Sequence, residues 1–168
     1  MSDVPQPDEE TLAFAARVFD LARHGEPEEM AGLLANGLPP DMRNDKGDSL
    51  LMLAAYNGNA PMVYALLRHG AQPDRMNDSG QTPLMGVCFK GETAIARMLL
   101  AQGAAADGPE GSDRSPLMTA AMFDRVEIVE LLLANGADPA RKDGSGLSAA
   151  DLARSMGAKR VLALLEKA

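Results

Sequence analysis

The tetrapeptide Thr82-Pro83-Leu84-Met85 recurs along the chain in altered form. Ser49-Leu50-Leu51-Met52 stands 33 residues before it, Ser115-Pro116-Leu117-Met118 stands 33 residues after it, and the weaker Ser148-Ala149-Ala150-Asp151 follows after a further 33. A fixed period of about 20 to 50 residues is typical of proteins built from stacked repeats. The sequence therefore predicts a single repeat domain over residues 11–168, with units at 11–43, 44–76, 77–109, 110–142 and a shorter 143–168.

Each central unit is expected to form a tight turn and two helices. A polar residue followed by a glycine three positions later, such as Asn44 and Gly47, favours the turn, and a hydroxyl residue, often with proline next, favours a helix start. The apolar residues of the first helix have the i, i+3, i+4 spacing of one buried face: Leu51, Ala54 and Ala55; Leu84, Val87 and Cys88; Leu117, Ala120 and Ala121. The same spacing in the second helix gives a second set: Met62, Ala65 and Leu66; Ile95, Met98 and Leu99; Ile128, Leu131 and Leu132.

The chain resembles the ankyrin repeat family over about residues 11 to 168 in segments that keep one register: Ser115-Pro116-Leu117, Ala120-Ala121, Ile128-Val129, Leu131-Leu132-Leu133 and Gly136-Ala137-Asp138-Pro139. The resemblance implies an all-α solenoid of stacked antiparallel helix pairs with short hairpin-like loops. It implies about five repeats, counting the two caps.

The chain departs from the family pattern at several positions. Methionine (52, 85 and 118) replaces the usual histidine, and we expect it to pack between layers. In the fourth unit Asp113 replaces the loop glycine and Asp124 the mid-unit glycine. The first and last units look like caps with a polar, solvent-exposed outer side, as a finite stack requires. Residues 1–10, with two prolines and four acids, are expected to form a disordered tail.

The composition excludes several kinds of partner. The net charge is −8, of which residues 1–29 contribute −6, and there is no basic run. Nucleic acids and anionic membranes are bound through lysine and arginine, so we expect neither as a partner. The single cysteine and the acidic, proline-containing start favour a cytoplasmic protein, and we expect it to be a monomer.

No pattern of residues predicts catalysis, a metal site or a cofactor. The only two histidines, His24 and His69, occupy different register positions in different units, so they are not expected to converge. Thioether sulfur can bind copper, but the register of the repeated methionines favours packing in the core. Cys88 falls on the buried stripe and is expected to be an inert small hydrophobe.

The resemblance places a binding site in the groove that the hairpin tips and the exposed face of the first helices line. The residues before the mid-unit glycine supply most of the candidate partner-binding positions: Tyr56, Asn57, Phe89, Lys90, Met122, Phe123 and Met156. Asp48, Gln81 and Arg114 at the loop tips would form the rim. Three of the six aromatic residues fall on this one line, where solubility alone would favour polar side chains. They would form an exposed apolar strip, unless they fold down over loop backbone or a neighbouring layer.

The sequence thus predicts a non-catalytic module that binds a partner protein along the concave groove. The alternative is an accessory or inhibitor protein dedicated to a single partner enzyme. One dominant bound species would favour this alternative, and several unrelated partners would favour a general adaptor.

Overall fold

A computed structural model describes residues 6–168. Within these residues the chain forms ten helices: α1 Glu9–His24, α2 Pro27–Ala35, α3 Leu50–Tyr56, α4 Ala60–Arg68, α5 Pro83–Lys90, α6 Thr93–Ala101, α7 Pro116–Met122, α8 Val126–Ala134, α9 Ala149–Met156 and α10 Lys159–Leu165. The odd-numbered helices contact one another in sequence and form one row, and the even-numbered helices form a second row behind it. This arrangement is the all-α solenoid of helix pairs that the sequence predicts.

The recurring hydroxyl residue starts the first helix of each unit from the second onward. The side-chain oxygens of Ser49, Thr82 and Ser115 accept hydrogen bonds from the backbone N–H three residues later at 3.1, 3.2 and 3.2 Å. Ser148 does the same for α9 at 3.3 Å. Each bond satisfies a backbone donor that the helix itself cannot pair. The first three hydroxyl residues are buried, so this cap is part of the core.

The buried stripe of the first helices is confirmed, because all nine of its predicted residues are buried. The stripe of the second helices is confirmed at its first and last positions, but its middle position is only half-buried. Met62, Val63 and Leu66 are buried in α4, whereas Ala65 is half-buried, and α6 and α8 repeat this pattern. Met98 and Leu131 still pack against the core, so they lie at the edge of the buried face. The predicted face is thus confirmed for the first and last residue of each set and only in part for the middle one.

The loops between units bend at a glycine in a left-handed conformation. Gly47 has φ of 76°, and a Cβ there would stand 2.3 Å from both Arg43 and Asp78. The Asn44 side chain accepts from the backbone N–H of Lys46 and Asp48 at 3.0 and 2.9 Å and so fixes the loop. Asn77 and Asp143 make the equivalent bonds in two other loops.

The loop of the fourth unit differs from the prediction. Its left-handed residues are Gly108 and Gly111, with φ of 77° and 83°, and Asp113 does not take the glycine role. Glu110 replaces the asparagine that holds the other loops. The Arg141 guanidinium instead donates to the carbonyl oxygens of Asp107 and Ser112.

The start of the chain also differs in part from the prediction. Helix α1 begins at Glu9, inside the segment expected to be disordered, because Asp8 accepts from the backbone N–H of Thr11 at 2.8 Å and caps it. Residues 1–5 lie outside the described residues.

The outer side of the first unit is only partly polar. Glu29 is exposed and pairs with Arg17 at 3.3 Å. Two apolar side chains of α1, Leu12 and Phe14, are 56% and 42% exposed, because the 16-residue α1 is longer than the seven-residue α3 that it packs on.

A series of carboxylates ties each layer to the next, and the sequence analysis missed it. Asp41, Asp74 and Asp107 stand 33 residues apart. Each accepts a hydrogen bond from a backbone N–H 31 residues further on, at 2.9 to 3.1 Å: from Gln72, Ala105 and Asp138. The repeat of an aspartate at this spacing was the signal that could have revealed it.

Candidate functional site

The three central layers form a groove between the hairpin loops and the first helices. Its volume is about 1130 Å³. Helices α3, α5 and α7 supply one side, and the loops before them supply the other. The loops hold this shape because they are bonded to one another: the Asn77 amide donates to Asp48 at 2.8 Å, and Arg43 donates to Asp78 at 2.9 Å.

The base of the groove is apolar and has its smallest residue in the middle. Met52 and Met85 reach it from the core and are 7% and 8% exposed, in accord with the expected packing role. Leu53 and Thr119 occupy one register position in the outer two layers, whereas the central layer has Gly86 there. A Cβ on Gly86 would lie 3.4 Å from the ring of Tyr56. The central layer therefore has no side chain at this position, and the Tyr56 ring lies against the glycine.

Three aromatic side chains form a continuous strip along the groove. The rings of Tyr56 and Phe89 are parallel, with centroids 6.2 Å apart and 2° between their planes. Phe89 and Phe123 meet edge to face, with centroids 4.7 Å apart and 88° between planes. Both geometries are among those that aromatic pairs prefer. Met122, next to Phe123, also lines the groove.

The strip is exposed and also contacts its neighbouring layer. Tyr56, Phe89 and Phe123 are 43%, 40% and 36% exposed. Neighbouring rings pack against one another, and Tyr56 lies against Gly86 of the next unit. The two alternatives from the sequence are thus both present: each ring covers part of the adjacent layer and offers the remainder to the groove.

The rim carries charges of both signs, but they differ in how they are paired. The lining carboxylates each accept a hydrogen bond from another loop: Asp48 from Asn77 at 2.8 Å, Asp78 from Arg43 at 2.9 Å, and Asp113 from the Gly144 N–H at 2.6 Å. The cations Lys46 and Arg114 also line the groove and are exposed. Neither side chain makes an ion pair or hydrogen bond with any residue between 6 and 168.

The groove contains most of the candidate site residues, but three lie outside it. Tyr56, Phe89, Met122 and Phe123 line it together with the rim positions Asp48, Gln81 and Arg114. Asn57 lies at the end of α3 and donates to the Leu53 carbonyl at 2.8 Å, a helix-ending role. The Lys90 ammonium stands 5.0 Å from the centre of the Tyr56 ring, a cation–π contact beside the strip. Met156 is 53% exposed on α9, beyond the groove.

The titratable and nucleophilic groups are dispersed. Burial raises the pKa of the Cys88 thiol far above its usual value, so the sulfur is not a nucleophile at neutral pH. His24 lies 3.4 Å from Asp20, and the Nδ1 of His69 donates to the Ala65 carbonyl at 2.8 Å, in a different unit. Across residues 6–168 no three His, Cys, Asp or Glu side chains stand close enough to bind a metal ion together. Over the same residues, no helix has the length and apolar character needed to span a membrane.

Comparison with known proteins agrees with this architecture. The family model described as ankyrin repeats (3 copies) matches residues 18–108, 51–143 and 87–167, which together cover most of the chain. The chain belongs to the ankyrin repeat family, whose repeats generally mediate protein–protein interaction and are typically not catalytic.

One curated relative is an ankyrin repeat protein of Pseudomonas aeruginosa. It is 54% identical to this chain over 65 residues, which is 38% of the chain and 38% of the relative. The matched region thus spans about two fifths of the length of this relative.

Proposed function

We propose that this chain is a non-catalytic module that holds a segment of a partner protein in the groove. The observation that carries the proposal is the strip of Tyr56, Phe89 and Phe123, which lies exposed where the groove has an apolar base and polar rim. A soluble protein gains nothing from exposing aromatic rings in a row, whereas a binding surface does, because their burial on binding removes apolar area from water.

The scaffold is suited to this task because the loops and layers are bonded to one another. Hydrogen bonds between loops, such as that from Asn77 to Asp48, fix the rim of the groove. The hydrogen bonds that the aspartates accept from the next layer hold successive layers together. A groove that is already ordered loses little conformational entropy when it binds. Binding energy would then be concentrated in the aromatic rings, the side chains that most often dominate interfaces.

The test uses the double variant Phe89→Ala with Phe123→Ala. We expect it to lose at least tenfold in affinity for proteins captured by the unmutated chain, because truncation of two central aromatics costs roughly 2 kcal/mol or more. The matched control is Tyr64→Ala, since Tyr64 is a 59% exposed aromatic residue on α4 that does not line the groove. Circular dichroism checks that all variants remain folded.

The proposal fails if the folded double variant captures every partner as well as the Tyr64→Ala control does. The same capture, followed by mass spectrometry, separates a general adaptor from an accessory protein of one enzyme. Several unrelated strip-dependent partners indicate the former, and one dominant enzyme indicates the latter.

A further inference from the structure

We infer that Met76 and Met122 are oxidation sites in the groove, and that their conversion to sulfoxides by a hydroperoxide weakens the binding of the partner segment. This inference rests on the proposed function and adds a chemical modification that regulates it. It is carried by the positions and the exposure of the sulfur-containing side chains.

The groove is rich in methionine. Four of the eleven methionines of the chain line it. Met76 lies directly before the loop of the third unit and is 38% exposed. Met122 is the last residue of α7, is half-buried and adjoins Phe123 of the aromatic strip. The two side chains thus belong to the loop side and to the helix side of the groove.

The other sulfur atoms near the groove or in the core are better protected. Met52 and Met85 also line the groove, but both are buried. Cys88, the only cysteine, is buried as well. Three methionines of the core have no exposed surface: Met30, Met62 and Met118. Because oxidation follows exposure, an oxidant in solution reacts at Met76 and Met122 before it reaches these sulfur atoms.

The reaction at methionine needs no base. Unlike a thiol, a thioether reacts without losing a proton. Its sulfur lone pair attacks the terminal oxygen of the hydroperoxide, the O–O bond breaks, and this oxygen becomes bound to sulfur as a sulfoxide. The proton of the transferred hydroxyl passes to the departing oxygen, so hydrogen peroxide leaves as water. The sulfur is oxidised by two electrons and the peroxide is reduced by two.

The sulfoxide makes the groove polar at two points where it was apolar. A reduced methionine adapts to irregular apolar contacts. A sulfoxide oxygen that is covered by an apolar segment loses its water and gains no hydrogen-bond donor, which costs free energy. Since Met122 adjoins Phe123, this cost arises beside the strip on which binding is proposed to depend. Enzymatic reduction of the sulfoxide restores the thioether, so the change is reversible.

The first measurement maps the oxidation sites in the folded full chain. The chain is treated with a limiting amount of hydrogen peroxide, and peptide mass spectrometry follows the gain of oxygen at each methionine with time. We expect Met76, Met122 and the exposed Met156 to be oxidised before the core methionines. Circular dichroism checks that the chain remains folded. If Met76 and Met122 react no faster than the core methionines, the assignment of these sites is wrong.

The second measurement follows affinity for a probe peptide. The probe is selected from a random phage-displayed library against the reduced chain, contains no methionine or cysteine, and is kept only if Phe89→Ala with Phe123→Ala weakens its binding. After removal of the peroxide, the oxidised chain should bind the labelled probe about tenfold more weakly, as expected when polar groups are left unpaired at an interface. The two methionine sulfoxide reductases, one for each sulfoxide epimer, should restore the affinity.

Two variants are compared by the ratio of their affinities before and after oxidation. Met76→Leu with Met122→Leu keeps apolar side chains of similar volume but removes both sulfur atoms. Whatever its affinity before treatment, peroxide should change it by less than about twofold. Met156→Leu is the matched control, because Met156 is exposed on α9 beyond the groove. This control should keep the whole loss of about tenfold.

The contrary outcomes separate the inference from the proposed function. If oxidation of Met76 and Met122 leaves the affinity unchanged, the inference is wrong while the groove remains a binding site. The same holds if the leucine variant of both residues stays sensitive to peroxide, or if affinity stays low after the reductases have reduced both sulfoxides. If no selected peptide depends on Phe89 and Phe123, the proposed function is wrong, and the effect of oxidation on binding is overturned with it.

Discussion

Asp124 is the residue at which a side chain supports a backbone conformation that glycine provides elsewhere. The equivalent Gly58 and Gly91 have φ of 72° and 85°, and Asp124 has φ of 54°. A residue with a Cβ is disfavoured in this region, although aspartate tolerates it better than most. The carboxylate offsets the cost because it accepts from Arg160 at 2.7 Å and from the Val161 N–H at 3.0 Å, which joins the fourth unit to the last helix.

The same contacts predict a dependence of stability on pH. The hydrogen bond from Arg160, and then that from the Val161 N–H, hold the pKa of the Asp124 carboxyl below its usual 3.8. A group with a lowered pKa stabilises the fold fully above its unfolded pKa and loses this contribution as pH falls through the folded value. We expect Asp124→Asn to be less stable at pH 7 and the difference to shrink as pH falls below about 4. Urea midpoints of both proteins between pH 7 and pH 2 measure this, and a difference independent of pH would contradict it.

At the scale of an element, the first helix of each unit depends on its buried hydroxyl cap. Thr82 has no exposed surface, and its oxygen accepts from the Met85 N–H at 3.2 Å. Thr82→Ala should lower the free energy of unfolding by about 1 to 2 kcal/mol, because α5 loses its cap inside the core. Thr82→Ser keeps the oxygen and should recover more than half of this loss. Chemical denaturation measures both variants, and equal losses would show that the methyl group, not the cap, is what matters.

A comparison of Gly86 with Gly32 separates two effects of a glycine-to-alanine change on stability: the gain in helix propensity and the contact of the new methyl group with the aromatic strip. A glycine inside a helix is less stable than alanine by about 0.5 to 1 kcal/mol. Gly32 in α2 is exposed and a Cβ there meets nothing within 4 Å, so Gly32→Ala should show the full gain. Gly86→Ala should also stabilise, but less, because its methyl group meets Tyr56 at 3.4 Å. Thermal or urea unfolding of the two variants gives the difference, and a larger gain at Gly86 would contradict this account.

The sequence predicted elements more fully than the contacts between them. The caps such as Thr82 and the buried first-helix stripe follow from local patterns, and both are confirmed. The bond of Asp124 to Arg160 and the position of the Tyr56 ring against Gly86 join residues 30 or more positions apart. They depend on how layers are set against each other, which periodicity does not specify. The sequence was enough to assign the aromatic strip to one line of residues. It was not enough to predict how the rings pack on one another or which rim charges are paired.

At the scale of the whole molecule, stability is shared between units and the interfaces that join them. The second and third units meet through hydrophobic packing and through Asp74, whose two carboxylate oxygens accept from the Ala105 N–H at 3.1 and 3.0 Å. This bond lies near the middle of the stack. Its loss should therefore weaken the coupling between units and not only one loop.

We expect Asp74→Ala to lower the free energy of unfolding by about 1.5 to 3 kcal/mol, the usual size for a hydrogen bond to a charged group. The urea transition should also become less steep, since weaker coupling lets the two halves of the stack unfold separately. Asp45→Ala is the matched control, because Asp45 is an exposed loop-tip carboxylate whose side chain makes no hydrogen bond to any residue from 6 to 168. Hydrogen exchange would locate the loosened boundary at Ala105. If Asp74→Ala unfolds at the same midpoint and with the same steepness as the control, the aspartate series does not contribute to the coupling between layers and has no part in keeping the groove rigid.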